Sequence, residues 1–386
     1  MMRRWRGLAT VVATAALALS LSACGSSSGG SKAGGSTLDI GVLNSTTGNL
    51  GAVGQQEAQG IDLAVSEINA AGGIKGKKIK LISVDDQGSV SQSTAGFKKL
   101  ATTDNVPLII GPGISAGAAA DAPLADRYGV TQVLLVAQPK VVNGTKNVFE
   151  VAPPGTANSE AMVKYAADKG AKTAALIWAN NPYGQEGLTD ITAASKKYGI
   201  SLESQNSWDP AQFNFTAQAG KVASANPDVV FLYGAGGSSD GLLLKAVRAA
   251  GYKGKIVGDL AYSTAATIPK VAGPAADTVV SLTAVNYGNP TAAETKFIDA
   301  FKSANGGQVP SVLTTYAYVA VKMAAAAMEK ASSLKGTDIA KALQSLNYDG
   351  GLVGKMAYTS SYHGGPGIAA FKPVSFKNGV YAPPVF

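Results

Sequence analysis

Gly113-Ile114-Ser115-Ala116-Gly117 has the spacing G-x-S-x-G, which in some enzymes holds a serine on a tight turn as a nucleophile. A later acid, Asp338 or Asp349, and then His363 would complete the order Ser, Asp, His of an acyl-transfer triad. The same serine has a second chemistry. Where it follows a strand and opens a helix, its hydroxyl and the neighbouring backbone N–H groups can receive a carboxylate with no reaction at all. Gly111-Pro112-Gly113 separates Ser115 from its strand, and His363-Gly364-Gly365-Pro366 reads as a surface turn. In a chain with 46 glycines the motif is a weak signal, and binding is the stronger reading.

Other reactive groups are few. Cys24 is the only cysteine and His363 the only histidine, whereas zinc and haem sites draw several such ligands, so no metal and no cofactor is expected. Asp85-Asp86 are adjacent at a strand end and point apart, which reads as a solvated turn rather than a metal pair. Lys75, Lys77, Lys78 and Lys80 read as a solvated edge. The formal net charge is +8, with no basic run interleaved with aromatics, so nucleic acid is not expected as a partner.

Arg3, Arg4 and Arg6 precede an apolar stretch, 8–21, of signal-peptide length. Leu21-Ser22-Ala23-Cys24 then resembles the lipobox of bacterial lipoproteins. The likeness implies removal of residues 1–23, lipidation of Cys24 and an extracytoplasmic chain anchored to the cell membrane. Residues 24–37 read as a tether: ten of the twelve residues 25–36 are Gly or Ser, which gives a root-mean-square reach of roughly 20 Å. Two or more acyl chains make such attachment lasting.

Holding Ser115 in place requires a strand before it and a helix after it, and that alternation runs the length of the chain. Residues 38–43 read as a buried strand. Residues 55–71 place Ala58, Ile61, Ala64, Val65 and Ile68 on one helical stripe, stopped by Gly72-Gly73, and 79–84 read as the next strand. The grammar continues through a helix at 89–103, a strand at 106–110, a helix at 116–128, and strands at 130–136 and 148–151. Ala152-Pro153-Pro154-Gly155 reads as a crossing. A second run comes next: helices at 158–169, 185–198, 213–224, 239–250 and 264–271, with strands at 173–178, 201–205, 228–233, 255–258 and 278–282. The chain then crosses back to helices at 291–304, 315–331 and 337–346, with strands at 352–358 and 371–381. This is an α/β chain of two doubly wound, Rossmann-like lobes. Lobe 1 is expected over 38–154 plus 284–367 and lobe 2 over 155–283 plus 368–386, with a small-molecule site in the cleft between them.

Ile40-Gly41-Val42, Gly48, Gly54, Gly60, Ile68-Asn69, Ala71-Gly72-Gly73-Ile74-Lys75-Gly76 and Asp85-Asp86 come in an order that carries a resemblance. It continues through Ile110-Gly111-Pro112, Tyr183-Gly184, Phe215 to Pro227-Asp228, and Leu244 to Gly251. From Leu38 onward the chain resembles branched-chain amino acid-type periplasmic binding proteins, the type I solute receptors of ABC importers. The resemblance implies that type I fold, a three-stranded hinge, closure on a small-molecule solute, delivery to ABC permease subunits, and no enzymatic activity. It also implies that Ser115 is the main ligand contact and that Tyr183 covers the ligand. Gln138, beside Ala137, stands where the family has a threonine; Val53 and Gly236 stand where it has tyrosines. The acid that pairs with an α-ammonium falls at Leu260, next to Asp259. Losing two large aromatics enlarges the cleft, and losing the acid weakens the case for an α-amino acid, because a buried ammonium needs a partner. The expected ligand is a small organic solute (amino acid, amide or other carboxylate), with room for one bulkier than leucine. A monomer is expected. The alternatives are a serine hydrolase of α/β-hydrolase type using Ser115 and His363, or a ligand sensor on the same fold.

Overall fold

The computed structural model describes residues 37–235, 237–264 and 267–386. The leader 1–23, Cys24, the tether up to residue 36, and Gly236 lie outside the described residues; Thr37, expected in the tether, already begins the first strand. The chain runs β1 Thr37–Asn44, α1 Gly51–Ala70, β2 Lys78–Asp85, α2 Val90–Thr102, β3 Leu108–Ile110, α3 Ser115–Tyr128, β4 Thr131–Leu134, α4 Pro139–Val142 and β5 Val148–Glu150. It continues α5 Gly155–Asp168, β6 Thr173–Ala179, α6 Pro182–Tyr198, β7 Ser201–Trp208, α7 Thr216–Ala225, β8 Val229–Tyr233, α8 Ser238–Ala249, β9 Lys255–Gly258, α9 Ile268–Ala272 and β10 Val279–Thr283. The last part holds α10 Ala292–Ala304, α11 Val312–Lys330, α12 Gly336–Gln344, β11 Asn347–Tyr348, β12 Met356–Ala357, β13 Lys372–Lys377 and β14 Val380–Ala382.

Two sheets result. The first has the order β2-β1-β3-β4-β5, all parallel. The second runs β14-β13-β10-β9-β8-β6-β7, and its β7-β6-β8-β9-β10 part is parallel with the same winding as the first. Helices cover both faces of each sheet, so the inner strands β3, β8 and β10 are buried along their whole length. The edge strand β2 instead sets Lys78 and Lys80 between apolar residues, and the edge strand β7 is polar over most of its length.

Helices α1 and α11 cross closely at Gly60. A Cβ there would stand 2.1 Å from the Thr314 carbonyl oxygen. Gly60→Ala therefore forces the helices apart and is expected to cost about 1–3 kcal/mol, read as a lowered midpoint in chemical denaturation. The apolar stretch of α11 lies in the core of the first sheet, with Lys322 paired to Glu67 at 3.1 Å. Among the described residues no helix is long and apolar enough to cross a membrane.

Several elements differ from the sequence reading. Helix α1 begins at Gly51 rather than 55, because Gly51 and Gly54 weaken the helical signal of its first turn. In the stretch 352–358 only Met356–Ala357 pairs, with β11; Leu352 and Val353 bury as loop against the core. The helix expected at 264–271 is confined to α9, with Pro269 in its first turn. The strand expected at 371–381 is a hairpin whose turn is Asn378-Gly379, both at positive φ, 53° and 81°. Asp86 is fully buried, not solvated: Gly88 N donates to it at 2.9 Å, and Ser45 Oγ donates to the same oxygen.

Candidate functional site

The loops at the carboxyl ends of parallel strands are where open sheets of this winding bind ligands. A cavity of about 480 Å³ is walled by segments that leave strands of both sheets. Ser115 and Ala119 come from α3 after β3, Ala137 and Gln138 come after β4, and Ala152 and Pro153 come after β5. From the second sheet come Tyr183 and Glu186 on α6 and Leu260 after β9, while Gly155 and Asn158 stand in the first turn of α5. Leu313 and Tyr316 of α11 complete the wall. An adjoining cavity of about 460 Å³ shares Tyr183, Leu260 and Leu313 and is lined by Val53 and Gln56 of α1, Ala235, Thr264 and Gln308. A larger cavity, about 900 Å³, is an open groove at the amino ends of β8 and β9, where Arg248 is bonded to Thr278, Tyr252 and Gly254.

The first turns of α3, α5 and α6 all reach the 480 Å³ cavity, so the positive ends of three helix dipoles meet there, which favours a negatively charged group. Ser115 is the first residue of α3 and is exposed; the cap position belongs to Ile114, which makes no side-chain cap bond. The serine hydroxyl is thus not consumed in capping its own helix.

Buried acids hold the surrounding loops. Tyr183 OH donates to Asp259 Oδ2 at 2.8 Å, and Gly234 N donates to Asp259 Oδ1 at 3.1 Å. The Tyr183 ring also packs on Tyr233 at 4.8 Å. Burial, then the charge of Asp240, pushes Asp259 up to about 7. Glu150, pushed up to about 7 by burial, accepts from Gln138 N at 2.5 Å and Gly365 N at 3.3 Å, which ties the Gln138 loop down. Glu57 lies under the Ser115 loop, so close that a Cβ on Gly113 would stand 2.5 Å from Glu57 Oε2. Burial, then the charge of Asp86, pushes Glu57 up to about 8.

The structure thus brings Ser115, Ala137, Gln138, Tyr183 and Leu260 onto one cavity and Val53 onto the adjoining one. Asp259 lies behind Tyr183 and lines neither; Gly236 is outside the described residues. Trp178 lines neither cavity and is partly buried against the core of the second sheet. Sequence reasoning missed Asn158, Glu186, Leu313 and Tyr316. For Glu186 a signal existed: three residues beyond Tyr183 on one helix, it shares that face.

No triad is assembled. His363 is not in a surface turn but buried, 1% exposed, and stacks on Phe149 at 4.3 Å. Its Nδ1 lies 2.9 Å from Val148 O and its Nε2 3.1 Å from Gln344. Asp338 instead accepts from Ser333, and Asp349 from Gly351 N. Burial of this kind is invisible in the sequence because Val148, Phe149 and Gln344 come from distant segments. Among the described residues no group of three or more His, Cys, Asp and Glu side chains is placed to hold a metal ion.

Two doubly wound sheets whose strand ends share a pocket define a solute-binding protein. The family model described as "Periplasmic binding protein" matches residues 37–372, and the chain belongs to that family, as a type I member related to the branched-chain amino acid receptors of ABC importers. The Leu/Ile/Val-binding protein homolog 3 of Brucella melitensis is 30% identical over 81% of this chain and 83% of its own. Among solved structures, the fold matches the substrate binding protein LivJ of Streptococcus pneumoniae in complex with isoleucine, with a TM-score of 0.76, 22% identity and coverage of 89% and 97% of the two chains. It also matches a solute binding protein of an ABC transporter from Rhodopseudomonas palustris in complex with 3,4-dihydroxy benzoic acid, with a TM-score of 0.74, 20% identity and coverage of 90% and 96%. Members of this family bind and do not catalyse, and this chain is a binding protein.

Proposed function

We propose that this protein is an extracytoplasmic receptor, anchored through lipidated Cys24, that captures a small carboxylate-bearing solute and delivers it to the permease subunits of an ABC importer. The two lobes, 38–154 plus 284–367 and 155–283 plus 368–386, close on the solute about a three-stranded hinge. The solute's carboxylate meets Ser115 and the first turn of α3. Tyr183, held by Asp259, covers it from the other side, and Gln138 and the apolar wall of Leu313 and Tyr316 fit the remainder. The observation that carries this reading is the meeting of three helix first turns on one mostly apolar cavity. The amino acids named for the Brucella relative and the isoleucine and aromatic acid named for the two structures all offer a carboxylate.

A thermal-shift screen of amino acids, amides and aromatic acids against the chain from residue 25 tests it. A true solute at about 100 times its Kd stabilises the fold by about 2.7 kcal/mol. At least one carboxylate is expected to raise the melting temperature in a saturable way. A flat response to every carboxylate, with a shift from a cationic or neutral solute, contradicts the reading.

A further inference from the structure

We infer that the solute is captured together with a proton, and that Glu57, buried beneath the Ser115 loop, is the group that takes the proton up. The inference rests on the proposed carboxylate site and adds the partner for its charge.

A carboxylate withdrawn from water needs a compensating charge or a full set of donors. Neither cavity offers a cation. Among the described residues lining the two there is no Lys, Arg or His, and the one charged side chain is Glu186, itself an acid. The first turns of three helices supply part of the compensation. The ionisable groups packed behind the walls are acids as well: Glu57 lies under Gly113, Glu150 accepts from Gln138 N, and Asp259 accepts from Tyr183 OH. A negative charge added in such a setting is offset most directly by a proton arriving on one of these three.

The hydrogen bonds single out Glu57. Glu150 accepts from Gln138 N and Gly365 N, and Asp259 from Tyr183 OH and Gly234 N, bonds that favour their ionised forms. Glu57 is 1% exposed, and no donor reaches its Oε2. The charged groups of the neighbouring segments are all of one sign. Asp86, after β2, is fully buried with its Oδ2 likewise unpartnered. Asp121 of α3 accepts from Ser93 and Thr94 of α2, and Asp85 accepts from Thr46 N and Thr47. None of these four acids has an ion-pair partner among the described residues. Glu57 therefore fits its place as the neutral acid, and burial, then the charge of Asp86, pushes it up to about 8.

A solute carboxylate at Ser115, two residues along from Gly113, opposes the ionisation of Glu57 further. Above about 8 the unliganded Glu57 is mostly ionised, so capture there moves one proton from solvent onto its carboxylate and release returns it. Affinity is highest below that value and falls as the pH rises past it.

Calorimetric titration in two buffers of equal pH but different ionisation heat counts the protons. Every coded L-amino acid, its des-amino acid and benzoic acid are titrated into wild type and into Glu57→Gln, whose amide copies the neutral acid and cannot ionise. For a solute that raises Glu57 by about one further pH unit, wild type takes up about half a proton at pH ~8.5 and binds about fivefold more weakly at pH ~9 than at pH ~7. The variant is expected to take up none, and its affinity to stay level once the solute's own titration, common to both proteins, is subtracted. Wild type alone decides should the variant not fold: uptake centred above 8 belongs to Glu57, whereas uptake centred near 7 belongs to Glu150 or Asp259 and overturns the assignment. No uptake, or equal uptake by the variant, overturns it too while leaving the carboxylate reading intact. Binding of none of these carboxylates removes both.

Discussion

Raising the pH from about 5 to about 9 lowers the melting temperature of the ligand-free wild type, and Glu57→Gln removes the largest part of that fall. Glu57 is buried on α1 beside Asp86, and its carboxyl is pushed up from 4.5 to about 8. A carboxyl whose value is higher in the fold than in the unfolded chain favours folding while it is protonated. Its contribution is complete below 4.5 and is lost as the pH rises through 8. At about 1.4 kcal/mol per pH unit, the loss across that window is on the order of 4 kcal/mol, a large share of ordinary domain stability. Glu150 and Asp259, each raised to about 7, act with the same sign at lower pH. Asp228, held low by the N–H groups of Lys172 and Thr173, has the opposite sign and matters only in acid. The glutamine keeps the shape of Glu57 but cannot ionise, so differential scanning calorimetry across pH should give a flatter curve for the variant. A variant curve parallel to the wild type would show that Glu57 titrates normally.

Ser115→Asp abolishes capture of a carboxylate solute while leaving the fold at least as stable. The new carboxylate sits in the first turn of α3, where a negative charge stabilises a helix by about 0.3–1 kcal/mol. Against a bound carboxylate at ~4 Å it repels by about 4 kcal/mol at an effective dielectric constant near 20, roughly a thousandfold in Kd. The two readouts move in opposite directions, which separates this result from simple damage. Unchanged or stronger binding of the wild-type solute would mean that its anionic group lies elsewhere.

Much of this site is legible in the sequence. Ser115, Gln138 and Tyr183 each come after a strand and open a helix or turn, and local grammar alone places such residues at the carboxyl edge of a parallel sheet. Tyr316 obeys no such rule. It reaches the cavity because α11 packs where it does, and that is decided by contacts such as Gly60 against Thr314, far apart in sequence. The burial of Asp86 and His363 is hidden for the same reason, since Ser45, Val148 and Gln344 satisfy them only in the fold. Asn378-Gly379 is different. It is a two-residue turn signal that the sequence displays, passed over when the whole of 371–381 is read as one strand.

The most direct measurement is a crystal structure of the protein grown with the solute that gives the largest thermal shift. The account predicts that solute between the two sheets, its carboxylate within hydrogen-bond distance of Ser115 and its body against Tyr183 and Tyr316. A solute seated instead in the groove beside Arg248, or in the cavity with its carboxylate turned away from α3, would contradict it.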